Sequence, residues 1–248
     1  MTDPLASLSP EMRGQAMDLM ALQAEELDPE LARWVEDGPI GPMVKHPLVY
    51  DIAGVNIPGL PNRQLARKKA HLVRAREAGD WDTVVFLHER PWRADALFEL
   101  VEEFGDRISD ADYWRLVGRV WVDSENIWEN TDAWTYLLGA QRRHRLAIMG
   151  GDDTLDATNR AMYDALPENV VVYRGCQQAL NEEGLSWTTD KAKARWFARR
   201  FHERRDGPPI VLVGTVAKAD VIACFTDRGE SEVVVAEGSV DVQRIEDV

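Results

Sequence analysis

The chain has 248 residues, 45% hydrophobic and 29% charged, with a net charge of −14. That composition excludes a chain disordered throughout, and its acidity disfavours tight nonspecific binding to phosphate backbones. No run approaches the roughly 20 apolar residues of a membrane helix, and the N-terminal MTDPLASLSPEMRG lacks the apolar stretch of a secretory signal, so the expectation is a cytoplasmic protein.

In chain order, residues 10–35 place Met17, Met20, Leu27 and Leu31 at near-helical spacings, and Asp28-Pro29 marks a new helix start. Residues 37–62 hold Pro39, Pro42, Pro47, Pro58 and Pro61 among glycines and read as an extended connector with short strands at 48–57. RQLARKKAHLVRAREAGD, residues 63–80, is a basic helix that stops near Gly79. It reads either as a solvated face or as a contact for a nucleic acid or an acidic partner. WDTVVFLHERPWRADALFELVEEFG suggests two helices broken at Pro91. Tyr113, Leu116, Val117, Val120 and Trp121 then fit one face of a long helix, and Trp134, Leu137 and Leu138 continue the helical pattern.

The character changes near residue 150. GGDDTLDATNRAMYDALPEN reads as a loop and a short helix ended by Pro167. VVVYRG at 170–175 is a strand by its β-branched content. LSWTTD at 185–190 is a second strand, and Asp190 can cap the helix KAKARWFARRF. Trp196 and Phe197 on that helix are expected to bury against the sheet. PPIVLVGTVA, ADVIACF, SEVVVAE and VDVQRIEDV complete six strands. Helices gathered in the first half and strands in the second indicate an α+β fold. The expected division is a mainly helical region at 1–105 and a second domain at 106–248, with a helical lobe at 106–150 and a β core at 165–248.

Cys176 and Cys224 form no CxxC pair, and five scattered histidines complete no metal spacing. Two reduced thiols and no metal are expected. Neither a glycine-rich dinucleotide fingerprint nor a Walker loop, HExxH or GxSxG is present.

Three short pieces of the β half carry the chemistry: Tyr173-Arg174-Gly175 ending one strand, Ser186-Trp187-Thr188 opening another, and Glu230-Ser231-Glu232 before the apolar run Val233–Val235. In an extended segment residues i and i+2 share a face. If strand geometry already holds at 230, both carboxylates face one side and repel each other unless something cationic, or a reaction, needs them both.

Arginine on the first strand, Ser-x-Thr on the next and Glu-x-Glu at a later loop–strand junction resemble the Arg-Ser-Glu class of mono-ADP-ribosyltransferases. The resemblance covers about 165–240, with the helices at 110–150 matching the lobe that precedes such a core; residues 1–100 lie outside it. The wording VYRG, GLSWTTDKAKARWFA and RGESEVVV is also similar to uncharacterised proteins of actinobacterial phages, which would place the action on a host target.

The resemblance implies a split β core that binds NAD as substrate and transfers ADP-ribose to a protein arginine. Arg174 would grip the pyrophosphate, as a planar guanidinium can. Gly175, lacking a Cβ, would let nicotinamide approach. Tyr173, Trp187 and Thr188 would line the same pocket, and Ser186 would orient the catalytic carboxylate. Glu232 would be that carboxylate, and Glu230 would engage the target guanidinium. Phe225 and Asp227, in CFTDRG, would meet the acceptor. Ser124 and Asn126 are weaker candidates for the cleft. Two other readings stand beside this one: an enzyme that hydrolyses NAD or modifies a nucleic acid, and an inactive binding scaffold.

Overall fold

A computed structural model describes residues 9–39, 41–51, 57–125, 127–150, 154–200, 207–226 and 229–248. Residues 1–96 and 97–248 form two units, a division that falls ahead of the 105/106 boundary expected from sequence.

In the first unit, helix α1 (Pro10–Ala24) begins at Ser9, whose side chain accepts from Met12 N. Helix α2 (Pro29–Ala32) begins where expected: Asp28 accepts from Glu30 N, and Pro29 takes the first turn, where its missing N–H costs nothing. The apolar spacing of α1 does not translate into burial. Leu22 and Leu31 are buried, whereas Met17 and Met20 are more than half exposed.

The first part of the expected connector is an antiparallel meander of β1 (Val35–Gly38), β2 (Gly41–His46) and β3 (Val49–Asp51); β3 falls within the strands expected at 48–57, of which 52–56 lie outside the described residues. Its prolines are compatible with pairing because Pro42 sits near the start of β2, opposite Asp37, and Pro47 sits in the turn. His46 Nδ1 accepts from Leu48 N at 3.0 Å and closes that turn.

Helix α3 (Gly59–Ala78) ends as Gly79 turns left-handed at φ +70°. Leu31, Val44, Leu48, Val49 and Leu65 form the local core. The α3 cations are partly spoken for: Lys68 bonds Glu89 at 2.7 Å, and Lys69 bonds Glu30. Helices α4 (Trp81–Phe86) and α5 (Arg93–Phe104) flank a 3-10 turn that contains Pro91.

In the second unit, α6 (Asp110–Asp123) buries Tyr113, Leu116, Val117, Val120 and Trp121 as its spacing predicts. Gly118 sets how closely α6 lies on the turn Arg145–Met149, since a Cβ there would overlap the Ile148 carbonyl. Helices α7 (Thr131–Leu138) and α8 (Thr154–Ala165) lead to β4 (Asn169–Gln177), β5 (Ser186–Thr188), α9 (Lys191–Arg200), β6 (Pro209–Ala217), β7 (Val221–Phe225), β8 (Glu232–Val235) and β9 (Asp241–Asp247). All six expected strands form, in the order β7-β8-β5-β4-β6-β9, and every pairing is antiparallel. Segregated helices and antiparallel sheets make this an α+β structure. β4 and β5 share only the register pair Tyr173↔Thr188, so the sheet opens there into two halves of three strands.

Asp190 caps α9 by accepting from Ala192 N at 2.8 Å. The helix seats Ala194 and Ala198 on Val211 and Val213. Trp196 departs from expectation and is 51% exposed. The buried stripe runs through the two alanines, and at two residues' remove a helical side chain points away from it. Cys176 and Cys224 are buried free thiols, which burial pushes up to about 11 and about 12. Among the described residues no helix is long and apolar enough to cross a membrane.

Candidate active site

Where β4 parts from β5, a cleft of about 160 Å³ opens. Tyr173, Arg174, Gly175, Ser186, Trp187, Thr188, Glu230 and Glu232 all line it, so the three pieces separated in sequence meet in one place. Its volume is close to the roughly 150 Å³ of a protein cavity that holds one benzene ring.

Glu232 is the first residue of β8, opposite Thr188. Two donors converge on one of its oxygens: Ser186 Oγ donates to Oε1, and Trp121 Nε1 donates to the same atom at 3.2 Å. Burial holds the Glu232 carboxyl at about 7, well above its ordinary 4.5. The two hydrogen bonds pull it down, repulsion from Glu230 pushes it up, and Arg174 pulls it down.

Arg174 does more for the fold than a ligand grip requires. Its Nε and Nη2 donate to Asn181 O at 3.3 and 2.9 Å, and Nη1 donates to Ser186 O at 2.7 Å. Three of its five N–H groups hold backbone. Gly184 packs on the guanidinium so closely that any Cβ would overlap it. Burial works against the Arg174 charge, while Cys176 and Glu232 favour it.

Gly175 has a cause within the fold itself. A Cβ at this position would overlap the Ala194 carbonyl of α9, so helix packing alone suffices to demand the glycine. Thr188 is likewise occupied: its Oγ1 donates to Glu230 O at 2.7 Å and accepts from Asp190 N at 3.0 Å. It thereby ties the Glu230 backbone to β5. Trp187 borders the cleft, but it pairs with Val233, on the face opposite Thr188 and Glu232, and its Nε1 donates to Gly184 O at 2.9 Å.

The two glutamates do not share the cleft through strand alternation. Ser231 between them has φ +46°, a left-handed conformation that side chains rarely adopt. The chain kinks at Ser231, and β8 begins only at Glu232.

Phe225, expected at the acceptor, is 4% exposed within β7 and belongs to the core. Asp227 and Asn126 lie outside the described residues. Ser124 closes α6 by donating to Val120 O at 2.7 Å. The helical lobe instead contributes Glu125, Ile127 and Trp128 to the cleft wall, and α9 contributes Phe197 and Arg200. Trp121 and these wall residues escaped the sequence reading. The only signal for Trp121 is its indole N–H, which a buried tryptophan normally pairs.

No protein-family model, curated protein or solved structure matches this chain.

Proposed function

We propose that the chain is a mono-ADP-ribosyltransferase that moves ADP-ribose from NAD to a protein arginine. The observation that carries the reading is the Ser186–Glu232 hydrogen bond in a cleft that also gathers Arg174 and Glu230. A carboxylate fixed by a serine, with a guanidinium close by and a second carboxylate at its rim, suits departure of nicotinamide and arrival of a cation.

In this reading the nicotinamide ring enters the cleft, which is sized for one aromatic ring. The ribose C1′–nitrogen bond breaks, and its electron pair leaves with neutral nicotinamide. Positive charge develops on the ribose, as in glycoside hydrolysis. Glu232, ionised, accepts from the ribose 2′-hydroxyl, and that bond strengthens as the charge grows. The remaining Arg174 N–H groups face the pyrophosphate. Glu230 holds the target guanidinium, one of whose nitrogens attacks C1′, and takes the proton that attack releases.

The test is free nicotinamide released from NAD by the wild type and by Glu232→Gln, with and without arginine-bearing acceptors from a cell lysate and labelled NAD. Release and labelling by the wild type alone are expected. Neither release nor labelling by the wild type, with every acceptor fraction tried, overturns the reading and leaves a scaffold.

A further inference from the structure

Glu232 receives its two hydrogen bonds on the same atom. Ser186 Oγ comes from the neighbouring strand, and Trp121 Nε1 comes from α6, 111 residues earlier in the chain. Trp121 is 2% exposed, and its ring stands edge-on to Trp134 at 5.0 Å and 81°. Burial and this ring contact hold the indole with its N–H on Glu232. Gly118, one turn back on α6, locks the depth of the helix against Ile148. Sheet and helical lobe thus clamp one carboxylate oxygen from two directions.

We infer that Trp121 is a positioning residue for Glu232: with Ser186 it saturates Oε1 and leaves Oε2 as the oxygen presented to the ribose. The inference rests on reading Glu232 as the catalytic carboxylate. A serine alone fixes one bond but leaves the carboxylate free to rotate about it. A second donor on the same oxygen from another direction removes that rotation, and the ribose hydroxyl then finds a single acceptor already aimed. A donor pair on Oε1 also favours the ionised form that this role needs. Among the described residues, the other charged or titratable groups around Glu232 are Tyr173 and Arg174 on β4, Glu230 ahead of β8, Cys224 on β7, Arg200 on α9 and Glu125 after α6.

The experiment follows the Glu232 carboxyl itself, by selective carbon-13 labelling and NMR titration without NAD. Trp121→Phe keeps a ring in the core and removes only the donor. The expected result is a titration midpoint raised by about one pH unit. Trp134→Phe, which loosens the same packing without touching Glu232, should leave the midpoint in place. In nicotinamide release, Trp121→Phe should lower kcat near neutrality, recover part of it at higher pH and leave KM for NAD unchanged.

A second measurement needs no variant. The Trp121 indole resonance of the wild type should titrate with the same midpoint as Glu232. A Glu232 midpoint unmoved by Trp121→Phe, or an indole resonance flat between pH 5 and 9, overturns the inference. Because both titrations are read without substrate, they decide the role of Trp121 even where the wild type releases no nicotinamide and the transferase reading has fallen.

Discussion

Arg174 holds Ser186 by its backbone: Nη1 donates to the serine carbonyl at 2.7 Å, while the Ser186 hydroxyl faces Glu232. The arginine thereby sets the strand that sets the carboxylate, and its effect on the site is partly indirect. Lysine keeps the charge but cannot bond the Asn181 and Ser186 carbonyls together, since it lacks the planar fork. Arg174→Lys should cost about 2 kcal/mol of stability. It should also raise KM for NAD and expose the 178–185 loop to protease. A melting temperature equal to wild type, with only KM changed, would instead make Arg174 a pure ligand contact.

The Glu232 carboxyl, held at about 7 by burial, would give the proposed activity a pH signature. Its proposed role needs the ionised form, so kcat/KM for nicotinamide release should fall about tenfold per pH unit below a midpoint near 7. An acid limb near 4.5 would mean that the group in control is an ordinary carboxylate and not Glu232.

The same burial makes Glu232 a cost to the fold. Its folded value is raised above the unfolded one, so the folded chain binds the extra proton between them. Its contribution to stability is full below about 4.5 and is lost as pH rises through about 7. Above that, the displacement corresponds to roughly 3 kcal/mol. Glu232→Gln should therefore melt several degrees higher than wild type at pH 8, with the gain vanishing by pH 4.5. Melting curves at the two pH values check the sign; a variant less stable at pH 8 refutes it.

Glu230 tests the acceptor. Glu230→Gln removes the anion that would hold a guanidinium but leaves Ser186, Trp121 and Glu232 in place. Transfer to arginine should be lost, while slow NAD hydrolysis persists. Equal loss of both would place Glu230 in the nicotinamide-releasing step, and unchanged transfer would remove it from the acceptor site.

The strands, the Asp190 cap and the α3 terminus at Gly79 were legible because their signals are local: β-branched runs, a side chain two residues from its N–H, a left-handed glycine. Of the β1–β3 meander only β3, inside the strands expected at 48–57, was legible, because prolines that mark a connector also fit a strand start and a turn. Trp196 misled because its size suggested burial, whereas the contact stripe of α9 belongs to two alanines. The gathering of Arg174, Ser186, Glu230 and Glu232 on one cleft accords with the spacing of their three pieces. The Trp121 bond was beyond reach, since helical periodicity marks the residue as apolar and says nothing of a partner 111 residues away. Nor could strand alternation foresee the left-handed Ser231 between the two glutamates.

Gly175 bears on how ancestry at this site can be read. Its missing Cβ serves the seat of α9 on β4, so a descendant with no chemistry at the cleft would keep the glycine as faithfully as one with it. Glu232 stands the other way, since burial raises its carboxyl to about 7 and so works against its charge. Across any lineage of this chain, the glycine would record that the protein still folds, whereas a carboxylate kept at 232 against its own burial would need a reason outside the fold.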